Sequence, residues 1–189
     1  VHITDWIGGD DAGALIPAAY EHQLPLEEFT IGEAFQAGGY ETGYIGKWHL
    51  GDDLFMPSRQ GFSFTFAVNH AGQPGSHFAP YKSTSMPETN VPDLENDAPG
   101  AYLTDRLTAE AEAFIRKPRT QPFFLVLSHY AVHTPIEAKK DMVAKYTAKR
   151  DAQPAPTSPA AQAEGPAAMT KMHQDNATYA AMVESVDTS

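Results

Sequence analysis

One stretch of the sequence constrains the fold more than any other, Gly43-Tyr44-Ile45-Gly46-Lys47-Trp48-His49-Leu50-Gly51. Lys47 and His49 lie two residues apart in an apolar run bounded by glycines. Residues i and i+2 of an extended segment point to the same face, so an ammonium and an imidazole at a strand end can both reach one anionic group. Lysine supplies a point charge, and histidine a donor or a proton acceptor. The alternative interpretation is a buried strand end, with a lysine that extends to solvent and a hydrogen-bonded histidine.

The residues before this stretch predict a helix that leads into the strand. Thr30-Ile31-Gly32-Glu33 fits a capping box, and Gly38-Gly39 can end the helix that it begins. A strand over 40–46 follows. Because a helix and a short apolar strand form an α/β unit, this segment predicts a largely parallel sheet.

Later segments extend the pattern. Residues 102–116 predict a helix with a buried face of Leu103, Leu107, Ala111 and Phe114 or Ile115. Residues 123–127 form an unbroken apolar run, which is typical of a strand buried on both faces. Parallel sheets bind ligands at the carboxyl edge of their strands, which residues 128–135 occupy here. His129 and His133 therefore lie at the candidate site.

One further element completes the predicted order. Asn176 to Ser189 predicts a helix, since apolar residues recur at helical spacing. Its predicted apolar face consists of Tyr179, Met182, Val183 and Val186.

Two segments have the composition of loops. Residues 70–100 are rich in Gly, Pro, Ser and Thr, which predicts a long excursion over the surface. His70 and His77 lie in it, either as exposed loop histidines or as substrate contacts. Residues 148–168 are rich in Ala, Pro, Gln and Ser, which predicts a mobile loop.

Composition excludes several classes of function. The chain has 189 residues, with 13 basic against 24 acidic residues and a formal charge of −11. No basic stripe supports nucleic-acid binding, although a few local cations can still bind an anionic substrate. The absence of cysteine excludes disulfides and thiolate chemistry in this chain. The sequence contains no apolar run of about 18 residues, so it predicts no membrane span.

Four blocks of the chain resemble the type I sulfatases in order and spacing. Thr42 to Gly51 resembles their second signature, and Leu26 to Tyr40 resembles the helix before it. Gln121 to Pro135, with Ala131-Val132-His133-Thr134-Pro135, is similar to a later strand and its His-Thr-Pro turn. Tyr179 to Asp187 resembles the helix that follows. The match is poorest between about 70 and 98 and between about 148 and 170.

This resemblance implies an alkaline-phosphatase-like α/β fold, with a mostly parallel sheet flanked by helices. It implies that residues 1–189 are an internal part of one catalytic domain. It further implies a formylglycine nucleophile, made from Cys or Ser, and a calcium ion held by carboxylates and an amide. Both are expected outside this chain, and no residue here is assigned as a metal or cofactor ligand.

The resemblance also implies roles for three side chains. Lys47 is expected to bridge the aldehyde hydrate and a sulfate oxygen. His49 is expected to orient or deprotonate the hydrate. His133 is expected to bind sulfate and to protonate the leaving oxygen. His129 is predicted to be a packed or loop histidine, because a metal pair with His133 has no evident third ligand.

Two further motifs imitate those of the family. Asp10-Asp11-Ala12-Gly13 has the form of a metal motif but follows a turn-like segment, so a solvated loop is predicted. Pro57-Ser58-Arg59 imitates the end of the nucleophile motif. Phe55 would then occupy the position of the nucleophile, and a phenyl ring cannot act as one.

The predicted function is hydrolysis of sulfate esters, with sulfated carbohydrates as candidate substrates and with this chain inactive by itself. A phosphatase or phosphonate hydrolase of the same superfamily is the nearest alternative. A non-catalytic protein that binds sulfated glycans is an alternative of another class. Family habit implies a periplasmic or extracellular location, and the sequence predicts no oligomeric state.

Overall fold

The computed structural model describes residues 21–163 and 169–189. Asp10 and Asp11, and with them the predicted imitation of a metal motif, lie outside the described residues. The helices of the described residues are α1 (Ile31–Ala37), α2 (Leu103–Arg116), α3 (Lys140–Asp151) and α4 (Ala177–Asp187). The strands are β1 (Glu41–Gly46), β2 (Phe64–Phe66), β3 (Phe123–Ser128), β4 (Ala161–Ala163) and β5 (Met169–Lys171).

The central sheet of the described residues is parallel, in the order β2-β1-β3. Its register pairs Gly43 with Phe64 and Gly46 with Ser128. All three strands therefore end at the same edge, and the residues that follow them meet there. β4 and β5 form a separate antiparallel pair.

Helix α1 leads into β1 as predicted. The hydroxyl of Thr30 accepts a hydrogen bond from the Glu33 N–H at 3.2 Å, and the Glu33 carboxylate accepts one from the Thr30 N–H at 2.8 Å. Phe35 stacks on Phe124 of β3, with ring centroids 4.1 Å apart. The capping box thus fixes the start of the helix, and the aromatic contact holds the helix against the sheet.

The two faces of β1 pack into different clusters, because successive strand side chains alternate. Ile45 lies in one cluster with Leu103, Leu107 and Ala111 of α2, and Phe114 of the same helix is also buried. Ile115 is 51% exposed, so the helix uses Phe114 as its last buried position. Tyr44 lies in the other cluster with Trp48, Phe62 and Val68.

The prediction that β3 is buried on both faces is wrong for the described residues. Phe123 is 38% exposed and the rest of the strand is half-buried. In the described part of the chain β3 lies at an edge of the sheet and pairs only with β1. An apolar run shows that a strand can be buried on both faces. In the described residues the elements packed against β3 cover it only in part.

The segment 70–100 has an irregular backbone and is buried in part. Its Tyr81, Val91 and Leu94 are buried and belong to the same cluster as Ile45. The segment contains one 3-10 turn, Pro87–Thr89, and otherwise no helix or strand in the part of the chain that the structure describes. The Gly and Pro content therefore prevents regular structure without preventing burial.

The irregular part of the segment 148–168 is shorter than the predicted loop. Residues 148–151 end α3, and residues 161–163 form β4. Residues 152–160 are exposed and have no helix or strand. Residues 164–168 lie outside the described residues.

Helix α4 forms where predicted and buries Met182 of its predicted apolar face, but not Tyr179 or Val183. Its buried residues are Ala177, Ala181, Met182 and Ser185, whereas Tyr179 and Val183 are exposed. The small side chains lie on the packed side because α4 lies against α3, where the Ser185 hydroxyl is 3.3 Å from the Met142 sulfur. None of the helices within the described ranges is long and apolar enough to cross a bilayer.

Candidate active site

The end of β1 fixes the backbone of Lys47. Its N–H donates to the Ser128 carbonyl at 2.8 Å, and its carbonyl accepts from the Tyr44 hydroxyl at 2.6 Å. Gly46 has a φ of 95°, and a Cβ at this position would collide with the Ser128 carbonyl. Only glycine therefore allows the strand to turn this close to β3. The half-buried Lys47 forms no ion pair with a carboxylate of the described residues.

His49 follows Lys47 in a left-handed backbone conformation, with a φ of 59°. The preceding Trp48 anchors this turn, since its indole N–H donates to the Phe55 carbonyl at 2.9 Å. The His49 ring lies against Gly72, where an added Cβ would collide with Nδ1. A strained backbone, held by a buried indole and a glycine, therefore sets the direction of this exposed imidazole.

A buried tyrosine joins the loops that follow β2 and β3. The Tyr130 hydroxyl donates to the Ala67 carbonyl at 2.8 Å and accepts from the Asn69 N–H at 3.0 Å. The Asn69 carbonyl in turn accepts from the Trp48 N–H at 3.4 Å. The ends of all three strands are thus connected around Tyr130.

His133 lies in the turn after β3 and is exposed. The N–H of His133 donates to the Tyr130 carbonyl at 2.9 Å. The carbonyl oxygen of His133 lies 3.0 Å from Nε2 of His77. Its ring Nδ1 is 3.1 Å from the Thr134 hydroxyl oxygen. The peptide bonds Ala131–Val132 and Thr134–Pro135 are cis. The turn therefore holds the His133 backbone on both sides while the ring reaches solvent.

The structure brings Lys47, His49 and His133 together, with His70 beside them. Partial burial of the imidazole lowers the pKa of His49, and the nearby Lys47, His133 and His70 lower it further. At neutral pH the His49 imidazole is therefore neutral and able to accept a proton. These four groups form a cluster of basic side chains in a chain whose formal charge is −11.

The other two histidines of the sequence prediction do not join this cluster. His77 is fully buried, so the expectation of an exposed or substrate-contacting residue is wrong. His129 is half-buried with Nε2 3.2 Å from the Ser189 hydroxyl, and burial lowers its pKa. This agrees with the packed histidine predicted for position 129.

Sequence reasoning missed the residues that support the site. Tyr130 directly follows His129 and gives no signal except its size. Asn69 lies directly before the segment assigned to the surface, and Gly72 lies within it. Their contacts with β1 and β3 depend on the path of the chain between 70 and 100, which the local sequence does not show.

The described residues do not form a calcium site. No group of three or more His, Asp or Glu side chains in residues 21–163 and 169–189 could hold a metal ion. Pro57–Arg59 is a 3-10 turn, and Phe55 beside it bonds to Trp48 through its carbonyl. What this part of the chain supplies is cationic side chains and proton acceptors.

Comparison with known proteins defines the class. A family model described as Sulfatase matches residues 10–189. The chain therefore belongs to the sulfatase family. Its parallel sheet with flanking helices is part of the alkaline-phosphatase-like fold, as predicted.

Particular relatives agree with this assignment. Mouse (Mus musculus) arylsulfatase J is 33% identical over 125 residues, covering 61% of the chain and 20% of the relative. Human N-acetylgalactosamine-6-sulfatase is 33% identical over 134 residues, covering 62% and 24%. The crystal structure of Ps i-CgsB matches with a TM-score of 0.63 and 25% identity, over 88% of the chain and 35% of that structure. The chain thus spans about a fifth to a quarter of these curated relatives.

Proposed function

We propose that the complete protein hydrolyses sulfate esters of carbohydrates, and that this chain supplies the side chains that bind the sulfate and transfer protons. The observation that carries the proposal is the cluster of Lys47, His49 and His133 at one sheet edge. Lys47 has no carboxylate partner among the described residues, so its charge is available to an anion.

Lys47 contributes a fixed positive charge to the proposed reaction. Its backbone is held at both N–H and carbonyl, and its half-buried position limits the competing water. A sulfate ester carries negative charge on oxygens that change during cleavage. A positioned donor at such oxygens typically accelerates the reaction about 10²- to 10³-fold.

The two histidines serve opposite proton transfers in the proposal. His49 is neutral at neutral pH, so it can accept a proton from the attacking group. Cleavage breaks the bond between sulfur and the ester oxygen, and the departing oxygen then needs a proton. In the proposal the ring of His133, which is exposed, donates this proton.

The nucleophile and the metal ligands are proposed to lie outside the described residues. The sulfatase resemblance implies formylglycine as nucleophile and calcium as the ion that gathers sulfate oxygens. It also favours a periplasmic or extracellular location.

The names of relatives support a carbohydrate substrate. Several are N-acetylgalactosamine-6-sulfatases, which share 29–34% identity with the chain. Ps i-CgsB has a structure in complex with k-i-k-neocarrahexaose, and that structure matches with a TM-score of 0.60. The exposed His49, His70 and His133 rings leave the site open to a substrate larger than sulfate itself.

The test is a comparison of sulfate and phosphate esters with the complete protein. We expect turnover of a 6-sulfated N-acetylgalactosamine and of an aryl sulfate, with the matched aryl phosphate hydrolysed more slowly. Faster hydrolysis of the phosphate would assign a phosphatase instead. Binding of a sulfated oligosaccharide without any turnover would assign a non-catalytic glycan-binding protein.

A further inference from the structure

His77 is the least expected buried residue in the described part of the chain. Its side chain is completely inaccessible to solvent. A buried polar group destabilises the fold unless it is hydrogen-bonded, and an apolar side chain would fill such a position at lower cost. The contacts of His77 therefore need an explanation beyond packing.

The His77 ring bonds to the backbone of His133. Its Nε2 lies 3.0 Å from the His133 carbonyl oxygen, which can only accept. Nε2 therefore carries the proton. Burial lowers the pKa of His77, so the ring is neutral, and Nδ1 is left without a hydrogen-bond partner among the described residues. The neutral Nε2–H tautomer places the one donor of the ring on the His133 turn.

Glu137, which follows His133 in the same loop, also bonds to the segment that contains His77. One of its carboxylate oxygens accepts from the His77 N–H at 2.7 Å and from the Ser76 hydroxyl at 2.9 Å. Its carbonyl accepts from the Tyr102 hydroxyl at 3.0 Å. Residues 133 and 137 of one loop are thus bonded to residues 76 and 77 of a segment that is about 60 positions away in sequence.

The His77 backbone is anchored in turn. The Leu103 N–H at the start of α2 donates to the His77 carbonyl at 2.9 Å. Tyr81 and Leu94 hold the rest of the segment in the core. A force that moved the His133 turn would therefore have to move a buried part of the protein.

We propose that His77 and Glu137 are positioning residues, which together fix the His133 turn so that its ring meets the departing ester oxygen. This inference rests on the proposed function. Neither residue touches the substrate. Their effect is exerted through the carbonyl of His133 and the path of the chain from 133 to 137.

The inference predicts a defect that depends on the leaving group. A misplaced His133 donates its proton poorly, which matters for a carbohydrate alcohol and little for an activated aryl sulfate. In the complete protein we expect His77→Leu to lower kcat for the carbohydrate sulfate about tenfold or more, as one lost buried hydrogen bond permits. We expect less than about threefold for the activated aryl sulfate. His133→Ala defines the pattern to be matched.

Conservative variants test whether restoring the lost hydrogen bond also restores kcat. The amide of His77→Gln can donate where Nε2–H did, and we expect it to restore most of the lost kcat. Glu137→Ala removes both acceptor contacts and is expected to reproduce the defect, whereas Glu137→Gln retains a carbonyl oxygen and is expected to behave like wild type. If His77→Leu does not fold, the two Glu137 variants decide the outcome.

His173→Leu is the matched control. Nε2 of His173 lies 2.9 Å from the Ser158 carbonyl, so this variant also deletes an imidazole-to-backbone contact, but in the segment 148–168 and the hairpin beside it. We expect no change in either kcat. The inference would be overturned if His77→Leu and Glu137→Ala lost kcat equally on both substrates, or if the well-folded variants had normal kcat. In either case, turnover by the wild type would still support the proposed sulfatase function. An inactive wild type would overturn the proposed function and the inference with it.

Discussion

The two Pro-rich segments, 70–100 and 148–168, both have turn-forming compositions, but their described residues are buried to different extents. The first packs Tyr81, Val91 and Leu94 into the core around Ile45. In the second, residues 152–160 are exposed throughout. The backbone is irregular over 152–160, as it is over most of 70–100, so the difference lies in the large apolar side chains, which only the first segment contains.

Burial of large apolar side chains explains this difference. Each completely buried Val, Leu or aromatic side chain contributes about 1.5–3 kcal/mol, and Tyr81 also donates a hydrogen bond to Asp97 at 2.8 Å. A segment of Ala, Pro, Gln and Ser has no such contribution to set against the entropy that is lost when its backbone is ordered. Turn-forming composition therefore indicates irregular backbone and leaves exposure undecided.

Removal of an anchor should have the largest effect on stability. Leu94→Ala should lower the free energy of unfolding by about 2–5 kcal/mol, because it leaves a cavity in the core. Thr157→Ala, in the exposed segment, should change it by less than about 0.5 kcal/mol. Chemical denaturation of the complete protein measures both. Equal effects would contradict the assignment of the two segments.

A glycine of the packed segment should control activity more than stability. Gly72→Ala places a methyl group against the His49 ring, and displacement of that ring by about 1 Å should lower kcat roughly a hundredfold. Gly100→Ala is the control, since Gly100 has a φ of 81° like the 76° of Gly72 but has open space around its Cα. Both variants should therefore lose similar stability. A comparable loss of kcat in Gly100→Ala would contradict the proposed contact.

The buried histidine should make stability depend on pH. The pKa of His77 is lower in the folded protein than in the unfolded chain, where it is about 6.5. The unfolded chain therefore binds more protons as the pH falls below about 6.5, and stability decreases there. We expect the Tm of His77→Gln to fall less steeply than that of wild type between about pH 6.5 and 5. Parallel Tm profiles would show that His77 does not titrate in this way.

Limited proteolysis should distinguish the two segments without any substitution in the protein. A protease of broad specificity should cut first within 152–160, because exposed backbone without regular structure fits its active site. The backbone around the buried Tyr81 and Val91 should resist until the core unfolds. Mass spectrometry of the first fragments distinguishes these cases, and early cuts near Tyr81 would contradict the packing of 70–100.

Local sequence patterns predicted those parts of the site that depend on neighbouring residues. The capping box at Thr30, the strand that ends before Lys47 and the i, i+2 placement of His49 need only a few consecutive positions. His133 follows from a second strand that ends at the same edge. The assignment to sulfatases came from four blocks of sequence, all of which lie within the residues 10–189 that the family model matches.

Contacts between distant residues were not predictable in this way. Tyr130 with Asn69, Gly72 with His49, and His77 with His133 each join positions separated by 20 residues or more. The same limit explains why two of the predicted buried positions of α4 are exposed. The helical spacing favours Tyr179 and Val183 as buried positions, but the close approach of α3 selects Ala181 and Ser185.

The most direct test of the central claim is the turnover number of Lys47→Ala in the complete protein, measured with its Tm. Lys47 would bind the sulfate group, which carbohydrate and aryl sulfates share. We therefore predict a loss in kcat of about 10²- to 10³-fold on both substrates, with a Tm close to that of wild type. Near-normal kcat in a well-folded Lys47→Ala protein would contradict the claim that this sheet edge binds the sulfate.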